Sequence, residues 1–185
     1  LQDREFSQKL FVLDDHVGGA VAGFSSDARI LVEQARNEAQ VNRLIYDEPI
    51  DIEYLIRRLS NVVQTYTQHA GVRPFGVSLI VGGVDLVGPR LYQLDPSGVY
   101  GKYFATVVGK GKDEALQLMK DRYKQGLGLK EGVKIAVESL ARAGKEEFEA
   151  DRVRAAYISV ETRRFTTVPQ GEVLEAIKGI PPSMG

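Results

Sequence analysis

Phe75-Gly-Val-Ser-Leu-Ile-Val81 is apolar at nearly every position, the pattern expected of a strand covered on both faces. Such a strand needs layers above and below it, so its flanking elements decide the fold. Immediately upstream lie two helical patterns in succession. Ala28, Leu31, Val32, Ala35 and Ala39 recur at helical spacing behind the N-cap candidates Ser25, Ser26 and Asp27, which predicts a helix running to about Leu44. Tyr46-Asp-Glu-Pro49 breaks it, and Asp51 caps a second helix with Ile52, Leu55, Ile56, Leu59, Val62, Val63 and Tyr66 on its apolar face. Gly71 and Pro74 end this helical region. Before the first helix, residues 10–24 hold two short apolar runs around a polar turn at Asp14, Asp15 and His16. That is a β-hairpin pattern, and the small residues of its second run leave room for close packing.

Downstream, Gly82-Gly83 and Gly88-Pro89 punctuate the turn to a strand over Arg90–Leu94. Asp95-Pro-Ser-Gly98 is a strong turn signal leading into two extended pieces between Val99 and Val108. A third helix opens at Gly109-Lys-Gly-Lys-Asp-Glu, with Asp113 and Glu114 in its first turn where the helix dipole favours acids. A fourth spans Leu129 to Ala143, with Val133, Ala136, Val137, Leu140 and Ala141 on one face and Gly132 weakening it slightly. Val153–Val160 and Arg164–Val168 read as a final antiparallel pair joined at Glu161-Thr-Arg163; Gly171–Ile177 is a short helix stopped by Pro181-Pro182. The order is β-β-α-α-β-β-β-α-α-β-β-α. Helices in consecutive pairs disfavour a doubly wound sheet. An α+β arrangement of two stacked antiparallel sheets, with a helix pair on each outer face, satisfies this order.

The 185 residues suit one ordinary domain. A net charge of −1 argues against general nucleic-acid or membrane-surface binding, which calls for a basic excess. The lack of cysteine excludes disulfide scaffolds, thiolate nucleophiles and Cys-based zinc sites. No apolar run approaches the roughly 20 residues of a bilayer span, and Leu1-Gln-Asp-Arg-Glu lacks a signal-peptide profile. A cytoplasmic protein is expected.

No standard catalytic motif is present. Gly109-Lys-Gly111 could bind an anion at a helix start, but it lacks the Gly-Lys-Ser/Thr ending of a P-loop, and a tight strand-to-helix turn explains it as well. Asp14 and Asp15 beside His16 converge poorly on one ion because neighbours on a strand or turn point in different directions, so a solvated hairpin turn is expected there. His69 at a helix end reads as a cap. Two histidines with no nucleophile elbow make an acyl-transfer triad improbable. Asp95, Asp121 and the Glu146, Glu147, Glu149 run read as turn and surface acids. Lys9, just before an apolar strand, fits a solvated edge lysine; spacing alone does not choose between that and a functional charge.

Six runs carry a resemblance: Ser26-Asp-Ala-Arg-Ile-Leu31, Arg36-Asn-Glu-Ala-Gln40, Tyr46-Asp-Glu-Pro49, Tyr66-Thr-Gln-His69, Gly71-Val-Arg-Pro-Phe-Gly76 and Asp95-Pro-Ser-Gly98. Together they resemble the α-subunits of the proteasome core particle, most closely the archaeal type, in order from about Lys9 to the final helix. The resemblance implies a four-layer αββα sandwich of the N-terminal-nucleophile hydrolase type. It also implies a non-catalytic subunit of a seven-membered ring, stacked on a ring of β-subunits that carry the threonine nucleophile. Such a ring is scaffold, substrate entrance and docking platform for ATP-dependent unfoldases or other activators, and unfolded protein passes through it. Neither a cofactor nor a metal is implied. By the same resemblance Lys9, in Ser7-Gln-Lys9-Leu, aligns with the lysine of a pocket between neighbouring α-subunits that pairs with the C-terminal carboxylate of an activator tail. Gly23 and Phe24 stand where small and apolar residues line that groove.

Family members carry an N-terminal helix, a gating segment and a first pair of strands ahead of the position of Leu1. The expectation is therefore one α-type domain over residues 1–185, incomplete at its N-terminus. The rival expectation is an active threonine hydrolase subunit of the same fold whose N-terminus is missing; against it, the first residue is Leu1 rather than Thr. A third reading is a small anion-binding module built on Gly109 to Gly111.

Overall fold

The computed structural model describes residues 9–144 and 148–178. The chain divides into two compact units, one formed by residues up to Phe104 together with Ile158–Phe165, the other by Ala105–Tyr157 and the residues from Thr166 onward.

The first unit opens with the hairpin of β1 (Leu10–Asp14) and β2 (Val17–Gly23). Helices α1 (Ser25–Tyr46) and α2 (Ile52–Gln68) follow, and then β3 (Val77–Val84), β4 (Pro89–Leu94) and β5 (Tyr100–Lys102). The five strands make one antiparallel sheet in the order β1-β2-β3-β4-β5. Its register sets Gly18 opposite Gly82 and Val17 opposite Gly83. The glycines serve close approach: a Cβ on Gly18 would lie 2.6 Å from the Phe165 ring, and one on Gly83 would lie 2.8 Å from Ile52 Cδ1. The room foreseen in the second run of the hairpin is thus filled by an aromatic ring.

The predicted helices form where their apolar spacing put them. α1 buries Ala28, Leu31, Val32, Ala35 and Ala39, and α2 buries Ile52, Leu55, Ile56, Leu59, Ser60 and Val63. These stripes meet Val77, Leu79, Val81, Tyr92 and Leu94 of the sheet in one continuous core. Asp51 caps α2 as expected, its carboxylate accepting the Tyr54 N–H at 2.7 Å. His69 closes the same helix, its Nδ1 2.8 Å from the Thr65 carbonyl. α1 runs two residues past Leu44 and ends on Asp47, which takes a left-handed φ of 53°.

Three expectations change here. The N-cap of α1 is Phe24, with no side-chain cap bond, because Asp27 turns into the protein instead. β3 is not covered equally on its two faces: Val77, Leu79 and Val81 are buried while Ser78, Ile80 and Gly82 are half-buried, the alternation of a sheet whose helices pack on one side. Of the two extended pieces between Val99 and Val108, Tyr100–Lys102 alone forms a strand.

The second unit packs α3 (Lys112–Arg122) against α4 (Leu129–Gly144), and α4 against α5 (Gln170–Lys178). A 3-10 turn over Ala150–Arg152 precedes β6 (Ala156–Ile158), which pairs with β7 (Phe165–Thr167) in a two-stranded sheet. Both strands are shorter than predicted. Val137, Val153 and Val173 form a small core. On α4 the stripe is narrower than its sequence implied, since Leu140 is 47% exposed while Glu138 is buried, 3.9 Å from Arg122 Nη2. The Gly109-Lys-Gly111 segment is the tight turn that competed with the anion reading: Gly111 has φ +72°, and a Cβ there would lie 2.7 Å from the Ala143 carbonyl oxygen. Pro181-Pro182, Glu146, Glu147, Ser7 and Leu1 lie outside the described residues. Among the described residues no helix is long and apolar enough to cross a membrane.

Candidate functional site

Lys9, Gly23 and Phe24 meet at one end of the β1–β2 hairpin. The Val21 N–H donates to the Lys9 carbonyl at 3.0 Å and ties the two backbones together. The Lys9 ammonium, itself exposed, then reaches across to donate to the Gly23 carbonyl at 3.1 Å. One of its three donors is used there, which leaves capacity for an anion. Gly23 has φ +124°, a conformation that favours glycine, and a Cβ at that position would run into the Gly76 carbonyl and lie 2.9 Å from Val77 Cα. Phe24 donates its N–H to the Gly76 carbonyl at 2.9 Å while its ring remains 60% exposed.

Three residues to which the sequence assigned no site role complete this corner. Asp27 is only 5% exposed and is saturated with donors. Its Oδ1 accepts from Arg73 Nη2 at 2.7 Å and Ser26 Oγ at 3.3 Å; its Oδ2 accepts from Arg73 Nη1 at 2.9 Å and the Gly76 N–H at 2.7 Å. The Arg73 hydrogen bonds, against the opposing effect of burial and with help from the Gly76 N–H, hold the Asp27 carboxyl down at about 2. The same contact raises the Arg73 guanidinium. The Arg73 guanidinium carbon lies 5.3 Å from the centroid of the Phe24 ring. Arg73 and Gly76 are visible in the sequence only as members of the Gly71–Gly76 run, and Asp27 reads there as a cap.

A second polar cluster overturns the solvated-turn expectation for the hairpin. His16 is 3% exposed, with Nε2 2.8 Å from the Ile50 carbonyl and Nδ1 3.3 Å from Asp14 Oδ2. Asp14 in turn accepts from Arg43 Nη2 with both oxygens at 3.0 Å. Asp14 and His16 are two residues apart, the spacing that sets side chains on one face of an extended chain. Among the described residues no group of His, Cys, Asp or Glu is arranged to hold a metal ion.

Comparison with known proteins adds identity to this geometry. A family profile described as "Proteasome subunit" matches residues 1–158. The chain belongs to the proteasome subunit family. Within that family it is 43% identical to the proteasome subunit alpha of Methanopyrus kandleri over 180 residues, covering 97% of this chain and 73% of that protein. It is 39% identical to the proteasome subunit alpha of Methanocaldococcus jannaschii over 94% of this chain and 66% of the relative, and 41% identical to that of Saccharolobus islandicus over 89% and 69%. These proteasome subunits all bear the alpha name, which favours the α reading over the catalytic β alternative.

Proposed function

We propose that the chain is a non-catalytic α-ring subunit of an archaeal-type, cytoplasmic proteasome core particle, serving as scaffold for the β-ring, substrate entrance and activator platform. The 43% identity over 97% of the chain to a protein named proteasome subunit alpha carries this reading. With it goes the four-layer αββα sandwich, a layering that the antiparallel five-stranded sheet and its helix pair are consistent with. The α role leaves peptide-bond cleavage to the β-subunits. Native mass spectrometry of the full-length chain, alone and with an archaeal β-subunit, tests it. Ring-sized assemblies are expected, and a monomer in both samples overturns the reading. Turnover of a fluorogenic peptide by the isolated full-length chain would instead favour the threonine-hydrolase alternative.

Lys9, Gly23 and Phe24 are the proposed docking residues for the C-terminal tail of an ATP-dependent unfoldase or other activator. Support comes from their convergence: an exposed ammonium with spare donors stands beside a glycine and an exposed aromatic ring. A terminal carboxylate reaching Lys9 would form a charge-assisted bond contributing roughly 1.5–3 kcal/mol. In the assembled particle Lys9→Ala is expected to abolish activator binding and leave assembly intact; unchanged affinity removes Lys9 from the site.

A further inference from the structure

The exposed ring of Phe24 is held from two directions. On one side Gly76 lies so close that a Cβ there would overlap the ring, and on the other the Arg73 guanidinium carbon stands 5.3 Å from the ring centroid. Arg73 has an exposed, flexible side chain, yet its two terminal nitrogens are fixed by both Asp27 oxygens, and Nη1 also donates to the Pro74 carbonyl at 3.0 Å. Asp27 is fixed by the Gly76 N–H at 2.7 Å, and Gly76 accepts the Phe24 N–H at 2.9 Å. The contacts therefore close a loop through Phe24, Arg73, Asp27 and Gly76.

We infer that Asp27 and Arg73 are a positioning pair that holds Phe24 in its exposed orientation, so that the docking groove is formed before a carboxylate-terminated tail arrives. This rests on the reading of Lys9, Gly23 and Phe24 as the docking site. Arg73 is not a second receptor for the carboxylate. Its charge is matched by Asp27, and three of its five N–H donors are engaged by Asp27 and Pro74, whereas Lys9 has no carboxylate partner among the described residues and spends one donor on a neutral carbonyl. The division of labour follows from the chemistry: a planar guanidinium can bridge a carboxylate and lie over a ring at once, which an ammonium cannot do in the same way. A preorganised ring spares the tail the ordering cost of one side chain.

The test measures fluorescence anisotropy of a labelled short peptide, carrying the C-terminal segment of an archaeal proteasomal unfoldase, on assembled core particles. The same peptide with an amidated C-terminus is the control. Arg73→Ala is expected to weaken the free-acid peptide about three- to tenfold, the range of ordering one side chain on binding, while the preference for free acid over amide stays unchanged. In a Phe24→Ala background Arg73→Ala is expected to cause no further loss. Arg73→Lys, which keeps the charge without the fork, is expected to behave like Arg73→Ala, and it carries the comparison if Arg73→Ala particles do not assemble. Loss of the acid-over-amide preference in Arg73→Ala would make Arg73 a carboxylate receptor and overturn the inference. So would an undiminished loss in the Phe24→Ala background, or an Arg73→Ala affinity equal to wild type. If Lys9→Ala leaves peptide affinity unchanged, the docking reading falls first, and this inference falls with it.

Discussion

His16 Nε2 lies 2.8 Å from the main-chain oxygen of Ile50, a residue that is itself fully buried at the approach to α2. A carbonyl oxygen can only accept, so Nε2 carries the proton and donates it. The bond pins the β1–β2 turn to the segment between the two helices. Replacing His16 by Ala leaves a buried carbonyl without a donor, at a cost of about 1–3 kcal/mol. Urea unfolding of the two proteins measures it, and an unchanged midpoint with an unchanged slope would mean that solvent takes the place of the imidazole.

Asp27 makes stability depend on acid pH. Its carboxyl sits at about 2 in the folded chain against an ordinary 3.8, so the folded state holds the proton less tightly than the unfolded state. The contribution is complete above about pH 4 and is lost as the pH falls toward about 2. Thermal melts of wild type and Asp27→Asn across that window should converge as the pH drops. A constant gap would show that the ionised carboxylate is not what separates the two proteins.

Two glycines predict opposite outcomes for the same substitution. Gly83→Ala drives a methyl group against Ile52 Cδ1, 2.8 Å away, and against the His16 backbone, within a fully packed core. Such overpacking costs about 1–3 kcal/mol. Gly132 lies inside α4, and a Cβ added there would meet nothing within 4 Å. Gly132→Ala should therefore stabilise by about 0.5–1 kcal/mol, the difference in helix propensity. Denaturant midpoints moving the same way for both variants would contradict this contrast.

Ser60 anchors the turn at Asp95–Val99. Its hydroxyl donates to the Gly98 carbonyl at 2.6 Å from a buried position on α2, and the turn is closed by the Asp95 N–H to Val99 O bond at 2.9 Å. Ser60→Ala should cost about 1–3 kcal/mol through the stranded carbonyl. Hydrogen exchange of the Gly98 and Val99 amides should also quicken relative to the rest of the sheet; uniform exchange across both would remove the anchoring role.

The helix pairs, the Asp51 cap, the His69 cap and the hairpin at residues 10–24 were legible from the chain because each depends on partners a few residues apart. The Tyr54 N–H is three residues from the Asp51 carboxylate that receives it, and Thr65 is four residues from His69. Likewise the six motif runs are contiguous words, and they pointed to the family that the comparisons then showed. The limits of β3 coverage, the missing strand before Val108 and the exposed Leu140 were not legible, because periodicity marks which residues are apolar and not which neighbours reach them.

The candidate site divides along the same line. Lys9, Gly23 and Phe24 were named from motif positions, but nothing in their spacing required the Lys9 ammonium to meet the Gly23 carbonyl. Asp27 illustrates the reason. As sequence it is an acid in the first turn of a helix, equally able to cap its own helix or to reach outward. The fold brings Arg73 and Gly76 to it from 46 and 49 residues away, and two guanidinium bonds with a backbone N–H outcompete a local cap. What the sequence determined by itself was everything set by short-range sterics and hydrogen bonding: which segments are helical, that Asp51 caps the second of them and which family they spell. The tertiary structure alone decided which polar groups are buried together, because that depends on donors and acceptors from distant parts of the chain replacing water at the same point.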